Sequence, residues 1–204
     1  MVGAMASVFV SFIHEEELIA GTVLSFLREI FGDEVEIFLS ADRTTIYAGD
    51  NWIDEILRAL KSTKVLVSVL TPESIGRPWI NFEAGAAWMR EAKVIPVCFR
   101  GLTVGTLPKP YSSLQAIEMN STDAAYYLTS SIAHHLGLPQ LRRPRPSFGF
   151  KRSKALMGGG RTLEEWQEIE RPYDHFIDRI KADREGYEQW LDIAGSASRE
   201  NLPE

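Results

Sequence analysis

Through its first two-thirds the chain alternates short β-branched, aromatic runs with longer segments whose apolar residues recur at helical spacing. This alternation constrains the fold more than any other feature, because strands joined through helices must pair in parallel. The runs "SVFVSFI" (7–13), "VEIFLS" (35–40), "VLVSVL" (65–70), "KVIPVCF" (93–99) and the weaker "LQAIEM" (114–119) read as five strands. Between them, "EEELIAGTVLSFLREIFG", "WIDEILRALKSTK" (52–64) and the segment opening at Pro78 read as helices, and Gly32 marks the end of the first. Residues 102–113, with Gly105, Pro108 and Pro110, read as loop, and "TDAAYYLTSSIAHHLGL" (122–138) is a further helix. The expected architecture is α/β: a five-stranded parallel sheet with helices on both faces. Ligands of such sheets bind beyond the carboxyl ends of the strands.

After Pro139 the chemistry changes. Residues 140–161 hold seven basic residues, no acids, two prolines and three consecutive glycines, which is linker composition. Thr162 and Glu165 have the spacing of a capping box for a final helical segment, a C-terminal extension over 162–204. Pro172 is expected to break or restart that helix. Beyond it Tyr173, Phe176, Ile177, Ile180, Tyr187, Trp190 and Leu191 form an apolar stripe that must fold back onto the domain or pair with another chain. The organisation expected is therefore a domain over 1–139, the linker 140–161 and the extension.

Charge narrows the function. The chain carries a net charge of -6, with 10 basic against 16 acidic residues over 1–139 and 5 against 12 over 162–204. A general nucleic-acid binder is not expected from two acidic bodies, although the linker "RRPRP…FKR" is basic. Cys98 is the single cysteine, so no intrachain disulfide can form. The N-terminal "MVGAMASVFVSFI" has no Lys or Arg before its apolar run and leads into a strand, so it is not read as a signal peptide. No stretch approaches the roughly 20 apolar residues of a membrane helix. A cytoplasmic protein is expected, consistent with the cysteine content. His134 and His135 are adjacent and point to different helix faces, so no metal-binding set is visible. A P-loop and a G-x-S-x-G elbow are also missing.

One residue breaks the apolar pattern in "RPWINFEAGAAWM" (77–89). Glu83 is the only charged side chain between Arg77 and Arg90, on a helix that Pro78 starts well and alanines continue. Its helical neighbours Trp79, Ile80, Ala86 and Ala87 include no base. The helix begins beyond the third strand, which brings Glu83 near the expected crevice. A carboxylate there can be a ligand group or a distantly paired structural residue. Ser11, Phe12 and His14 end the first strand beside the same crevice, and Ser74 precedes the helix. For His14 an exposed loop position is the plain alternative, and for Ser74 capping or turn formation.

The blocks "VFVSFIHEEE", "VEIFLSADRTTIYAGDNWIDEILRALKSTKVLVSVLTPES" and "PWINFEAGAAW" resemble, in order and spacing, three successive blocks of Toll/interleukin-1 receptor (TIR) domains of bacterial style. The resemblance covers residues 7 to 138. Ser7 stands where an acidic residue often precedes the first block, and residues past 139 resemble nothing in the family. The resemblance implies a flavodoxin-like TIR fold and, for many members of this style, cleavage of NAD between nicotinamide and ribose. It implies that Glu83 is the catalytic glutamate of a W-x-x-x-E arrangement, with Trp79 one turn earlier at the substrate. It also implies that the loop "ADRTTIYAGDNW" (41–52) serves self-association and gating of the NAD site. In that loop Tyr47 and Gly49 are candidate substrate contacts; Gly49 permits a sharp turn, and Asp50 reads as a helix cap.

The expected activity is release of nicotinamide with ADP-ribose or a cyclic ADP-ribose isomer, in prokaryotic antiviral defence or stress signalling. NAD enters as substrate and no cofactor is needed. An effector protein or activating ligand is a further expected partner. Two other classes remain open: a non-catalytic TIR adaptor acting by assembly, and a nucleoside 2-deoxyribosyltransferase-like enzyme with a helix-borne glutamate.

Overall fold

A computed structural model of the chain describes residues 6–40, 52–144 and 163–200. Five strands form one parallel sheet: β1 (Ala6–Ser11), β2 (Val35–Leu39), β3 (Val65–Leu70), β4 (Lys93–Cys98) and β5 (Ile117–Glu118). Their spatial order is β2-β1-β3-β4-β5. The helices are α1 (Glu17–Phe31), α2 (Trp52–Ser62), α3 (Pro78–Met89), α4 (Thr122–Leu136) and α5 (Leu163–Glu200). This is the α/β fold that the strand–helix alternation implies.

Why each strand lies where it does follows from its sequence. All six residues of β3 are buried, as a central parallel strand covered on both faces demands. β5 holds two residues rather than the six expected, pairing with β4 only at Val97 and Cys98. Alternation along β1 divides its side chains between two cores. Val8, Val10 and Phe12 join Val65, Val67, Ile95 and Val97 under α1, α4 and α5. Phe9 faces the opposite side, with Leu66 of β3, Ile56 and Leu60 of α2 and Ala87 of α3. Ser11 shares the parity of Phe9 and is the polar exception at the end of that face, fully buried.

Local chemistry sets the helix ends. Ser121 caps α4 by accepting from the Ala124 amide at 3.2 Å, and Gly137 ends it in the left-handed conformation (φ 71°) that a side chain resists.

α5 runs through Pro172 without ending, contrary to the expected break. A proline inside a helix costs about 3 kcal/mol through a lost hydrogen bond and a clash. Immediately beyond it Tyr173, Phe176, Ile177 and Ile180 are buried against the domain, each worth roughly 1.5–3 kcal/mol. Packing therefore outweighs the local preference. Phe176 stacks on Phe26 of α1 (centroids 4.2 Å apart, planes 9° apart), and the Tyr173 hydroxyl lies 3.3 Å from that of Thr129 in α4. The apolar stripe is thus split: its first part folds back onto the domain, while Trp190 and Leu191 stay exposed. Thr162 of the expected capping box, and residues 145–161 of the linker, lie outside the described residues. Among the described residues no helix is long and apolar enough to cross a membrane.

Candidate functional site

The strand order reverses direction between β1 and β3, since β1 leads outward to β2 and β3 leads to β4. The ends of two diverging strands leave a crevice there. Ser11 ends β1 at this point, and the loop after β3 leads into α3, whose second turn carries Glu83.

Glu83 has no exposed surface. Ser11 donates its hydroxyl to one carboxylate oxygen at 2.5 Å. The indole N–H of Trp79, one turn earlier, donates to the other at 2.8 Å. Ser40, just past β2, stands near the group, with its hydroxyl donating to the Phe12 carbonyl at 3.3 Å. Burial pushes the Glu83 pKa up to about 7, against the lowering pull of Ser11, Trp79 and Ser40. All three are neutral, Ser11 and Trp79 are the donors, and no cation stands against this carboxylate among the described residues. The missing basic neighbours at helical spacing were the sequence sign of this state.

α3 is held in place from the far side by Tyr111, which is buried and donates its hydroxyl to the Ile80 carbonyl at 3.2 Å. Burial pushes its pKa up to about 12, so the phenol stays a donor. On the near side Trp79 stacks on Phe82 at 5.1 Å.

The other candidate positions divide. Ser11 and Trp79 meet at Glu83. The Phe12 side chain joins the core, and only its backbone faces the strand end, where its amide donates to Ser40 Oγ at 3.2 Å. His14 is exposed and lies 3.7 Å from Glu17. Ser74 is buried and closes a turn, accepting from the Thr71 amide at 2.9 Å and donating to the Val69 carbonyl at 3.4 Å. Tyr47, Gly49 and Asp50 lie outside the described residues.

A second buried carboxylate escaped the sequence reading. Glu16, in the single 3-10 turn that leads into α1, is also fully buried. It accepts from the Thr71 hydroxyl and, at 3.5 Å, from the Ile13 amide. Burial raises its pKa, and Ser74 and the Arg100 guanidinium pull it back. The three consecutive acids of "HEEE" hid which one turns inward; their neighbours Glu15 and Glu17 are exposed. Ser40 was missed for a different reason, being 43 positions from Glu83 in the chain with nothing local to mark it.

The family model described as TIR domain matches residues 8–128, more than half the chain. The protein belongs to the TIR domain family. Among solved structures it is similar to a metazoan TIR-STING receptor from C. gigas, at 20% identity and a TM-score of 0.47, over 65% of this chain and 40% of that one. The chain thus spans less than half the length of that receptor. No curated protein matches the sequence.

Proposed function

We propose that this TIR domain cleaves NAD at the bond between nicotinamide and ribose, with Glu83 as the carboxylate beside the reacting ribose. The observation that supports it is a fully buried acid held by neutral donors, with no cation against it among the described residues. A buried carboxylate without a counter-charge is costly in its ionised form. A ligand that brings its own positive charge removes that cost. NAD does so: its nicotinamide ring is cationic, and the charge passes to the ribose as the bond breaks.

The balance is simple. The C1′–N bond breaks, its electron pair leaves with nicotinamide, and the ring departs neutral, so no acid is required to protonate it. The ribose becomes an oxocarbenium-like cation, which Glu83 stabilises or positions through its hydroxyls. This differs from ordinary glycosidases and their two carboxylates. Addition of water at C1′ with loss of one proton gives ADP-ribose; closure by an internal nucleophile gives a cyclic isomer. Trp79 aims the carboxylate through its indole N–H. The apolar surround strengthens the attraction between Glu83 and the cation.

Glu83 is sealed from solvent, so substrate reaches it only after the shell around it opens. A resting monomer would be nearly silent, and assembly of copies, through the 41–52 loop or with an activating partner, supplies the opening. The test is nicotinamide release from NAD by the purified chain, followed by chromatography. Specific activity is expected to climb with protein concentration; a constant value across a hundredfold dilution would mean that each chain opens unaided. The alternative of a non-catalytic assembly module draws on the exposed apolar side chains Ile53, Phe82, Trp88 and Met89 of α2 and α3. Absence of nicotinamide release at every concentration would favour it.

A further inference from the structure

The stripe of α5 that packs on the domain does not end where its apolar residues end. Tyr173, Phe176, Ile177 and Ile180 are followed at helical spacing by Asp183 and Tyr187. The chemistry of the stripe changes from apolar to polar as the helix passes from α1 and α4 to the loops at the carboxyl ends of the strands. Asp183 takes Nε and Nη2 of Arg100 in a two-pronged ion pair, at 3.0 and 2.9 Å. The two side chains are only 9% and 13% exposed. Arg100 stands in the turn after β4 with φ of 51°, a conformation uncommon outside glycine. Its guanidinium also lies over the Tyr187 ring, 4.9 Å from the centroid.

Tyr187 in turn donates its hydroxyl to Glu73. Glu73 belongs to the loop 71–77 that joins β3 to α3. Its amide, like that of Ser74, donates to Thr71 Oγ1, and the Thr71 hydroxyl donates to Glu16. Glu16 accepts from Ile13, two residues past Ser11. At its other end the loop delivers Arg77, the N-cap, and Pro78, which starts α3 one residue before Trp79. The bonds that begin on α5 therefore reach the 71–77 loop and Ile13, and the backbone leads on from these to Trp79 and Ser11, which hold the Glu83 carboxylate. A helix serving only to cover apolar surface has no need of them.

We infer that α5 is a positioning element of the site: Asp183 and Tyr187 hold the 71–77 loop and the Arg100 turn so that α3 presents Trp79 and Glu83 in register with Ser11. This rests on the NAD-cleaving reading for its kinetic part. The structural part stands alone, because the hold on the loop can be measured without substrate.

The experiment compares the full chain with Asp183→Asn, Tyr187→Phe and their combination, and with Glu188→Gln as a control on the exposed side of α5, where Glu188 pairs with Arg184. Amide hydrogen exchange is expected to accelerate at least tenfold over 71–77 in the double variant, while β3 keeps its protection. With NAD, kcat is expected to fall about tenfold with KM changed less than twofold, and Glu188→Gln should match the parent in both measurements. Unchanged exchange over 71–77 would overturn the hold. Faster exchange with unchanged kcat would overturn the positioning role. Loss of protection throughout the sheet would mean that the residues serve global stability, and would overturn it as well. If the parent releases no nicotinamide, the proposed reaction falls, and the exchange result alone decides whether α5 grips the loop.

Discussion

Among the described residues two glutamates, Glu16 and Glu83, are fully buried, and their surroundings differ. Glu16 has the guanidinium of Arg100 near enough to favour its charge, and it accepts from the Ile13 amide and Thr71 hydroxyl of two loops. Glu83 has a hydroxyl and an indole N–H but, among the described residues, no cation. The first has a guanidinium nearby, shared with Asp183, although burial still raises its pKa. The second, in the proposed reaction, takes its positive partner from the substrate. The difference teaches that burial alone does not distinguish the two acids; the charge that the fold sets near each one does.

The strongest way to break the comparison is Glu83→Gln. The amide keeps the volume and can still meet Ser11 and Trp79, but it cannot stabilise a cation. Nicotinamide release is expected to fall at least about a thousandfold, in the range of removing a main electrostatic group. The folded state should survive intact by circular dichroism. Activity within tenfold of the parent would remove Glu83 from the chemistry.

Next in size is the pH dependence of stability. The Glu83 pKa is raised in the folded state to about 7 from an ordinary 4.5, so the folded chain holds its proton more tightly than the unfolded one. That contribution is fully present below pH 4.5 and is lost as pH rises through 7. The loss amounts to about 3 kcal/mol if the whole shift is expressed. Gln at this position carries no such penalty. Denaturant unfolding should therefore find Glu83→Gln more stable than the parent at pH 8 and about equal near pH 4. Parallel stability curves would mean that Glu83 titrates as an exposed acid does. The ionised form is also the reactive one, so cleavage by the parent should rise with pH through the same region.

Glu16→Gln is expected to gain less at high pH. The new NH2 group faces either the Ile13 amide, a donor, or Thr71 Oγ1, which already accepts from Glu73 and Ser74. One unmade buried hydrogen bond costs about 1–2 kcal/mol, and this offsets the relief that removing a second acid of raised pKa gives. A gain at pH 8 equal to that of Glu83→Gln would erase the contrast between the two acids. The smallest effect is expected from Trp79→Phe, which keeps an aromatic ring but removes the N–H. One of the donors that lower the Glu83 pKa is lost, so the rising limb of the activity profile should move upward by about half a unit, near the lower end for a lost hydrogen bond. An unmoved limb would show that the indole N–H does not act on the carboxylate.

Much of the fold was legible because its determinants are local. "VLVSVL" reads as a fully buried strand and is one, Val65–Leu70. Where neighbours decide, the reading ran short: β5 is limited to the two residues that pair with β4, and Pro172 is carried through by the packing that follows it. The site divides in the same way. Glu83 announced itself by the basic residues it lacks, and Trp79 by lying one turn away. Ser40, Glu16, Tyr111 and Arg100 meet the site only through folding, across separations that no spacing rule spans. Trp79 was expected at the substrate; that its indole N–H donates to Glu83 is a contact the spacing did not show.

The unbroken course of α5 from its apolar anchor to Tyr187 makes the spacing between them a mechanical quantity. From Ile180 to Asp183 is less than one turn, and each residue of helix advances about 1.5 Å and rotates about 100°. A loop absorbs an inserted residue by taking a slightly longer path, at small entropic cost. A helix transmits it in full. One extra residue between Ile180 and Asp183 would swing the carboxylate a quarter turn or more around the axis, away from Arg100, while every side chain kept its identity. In this stretch, chain length carries as much information as residue type, and deletions and insertions are barred where many substitutions are tolerated.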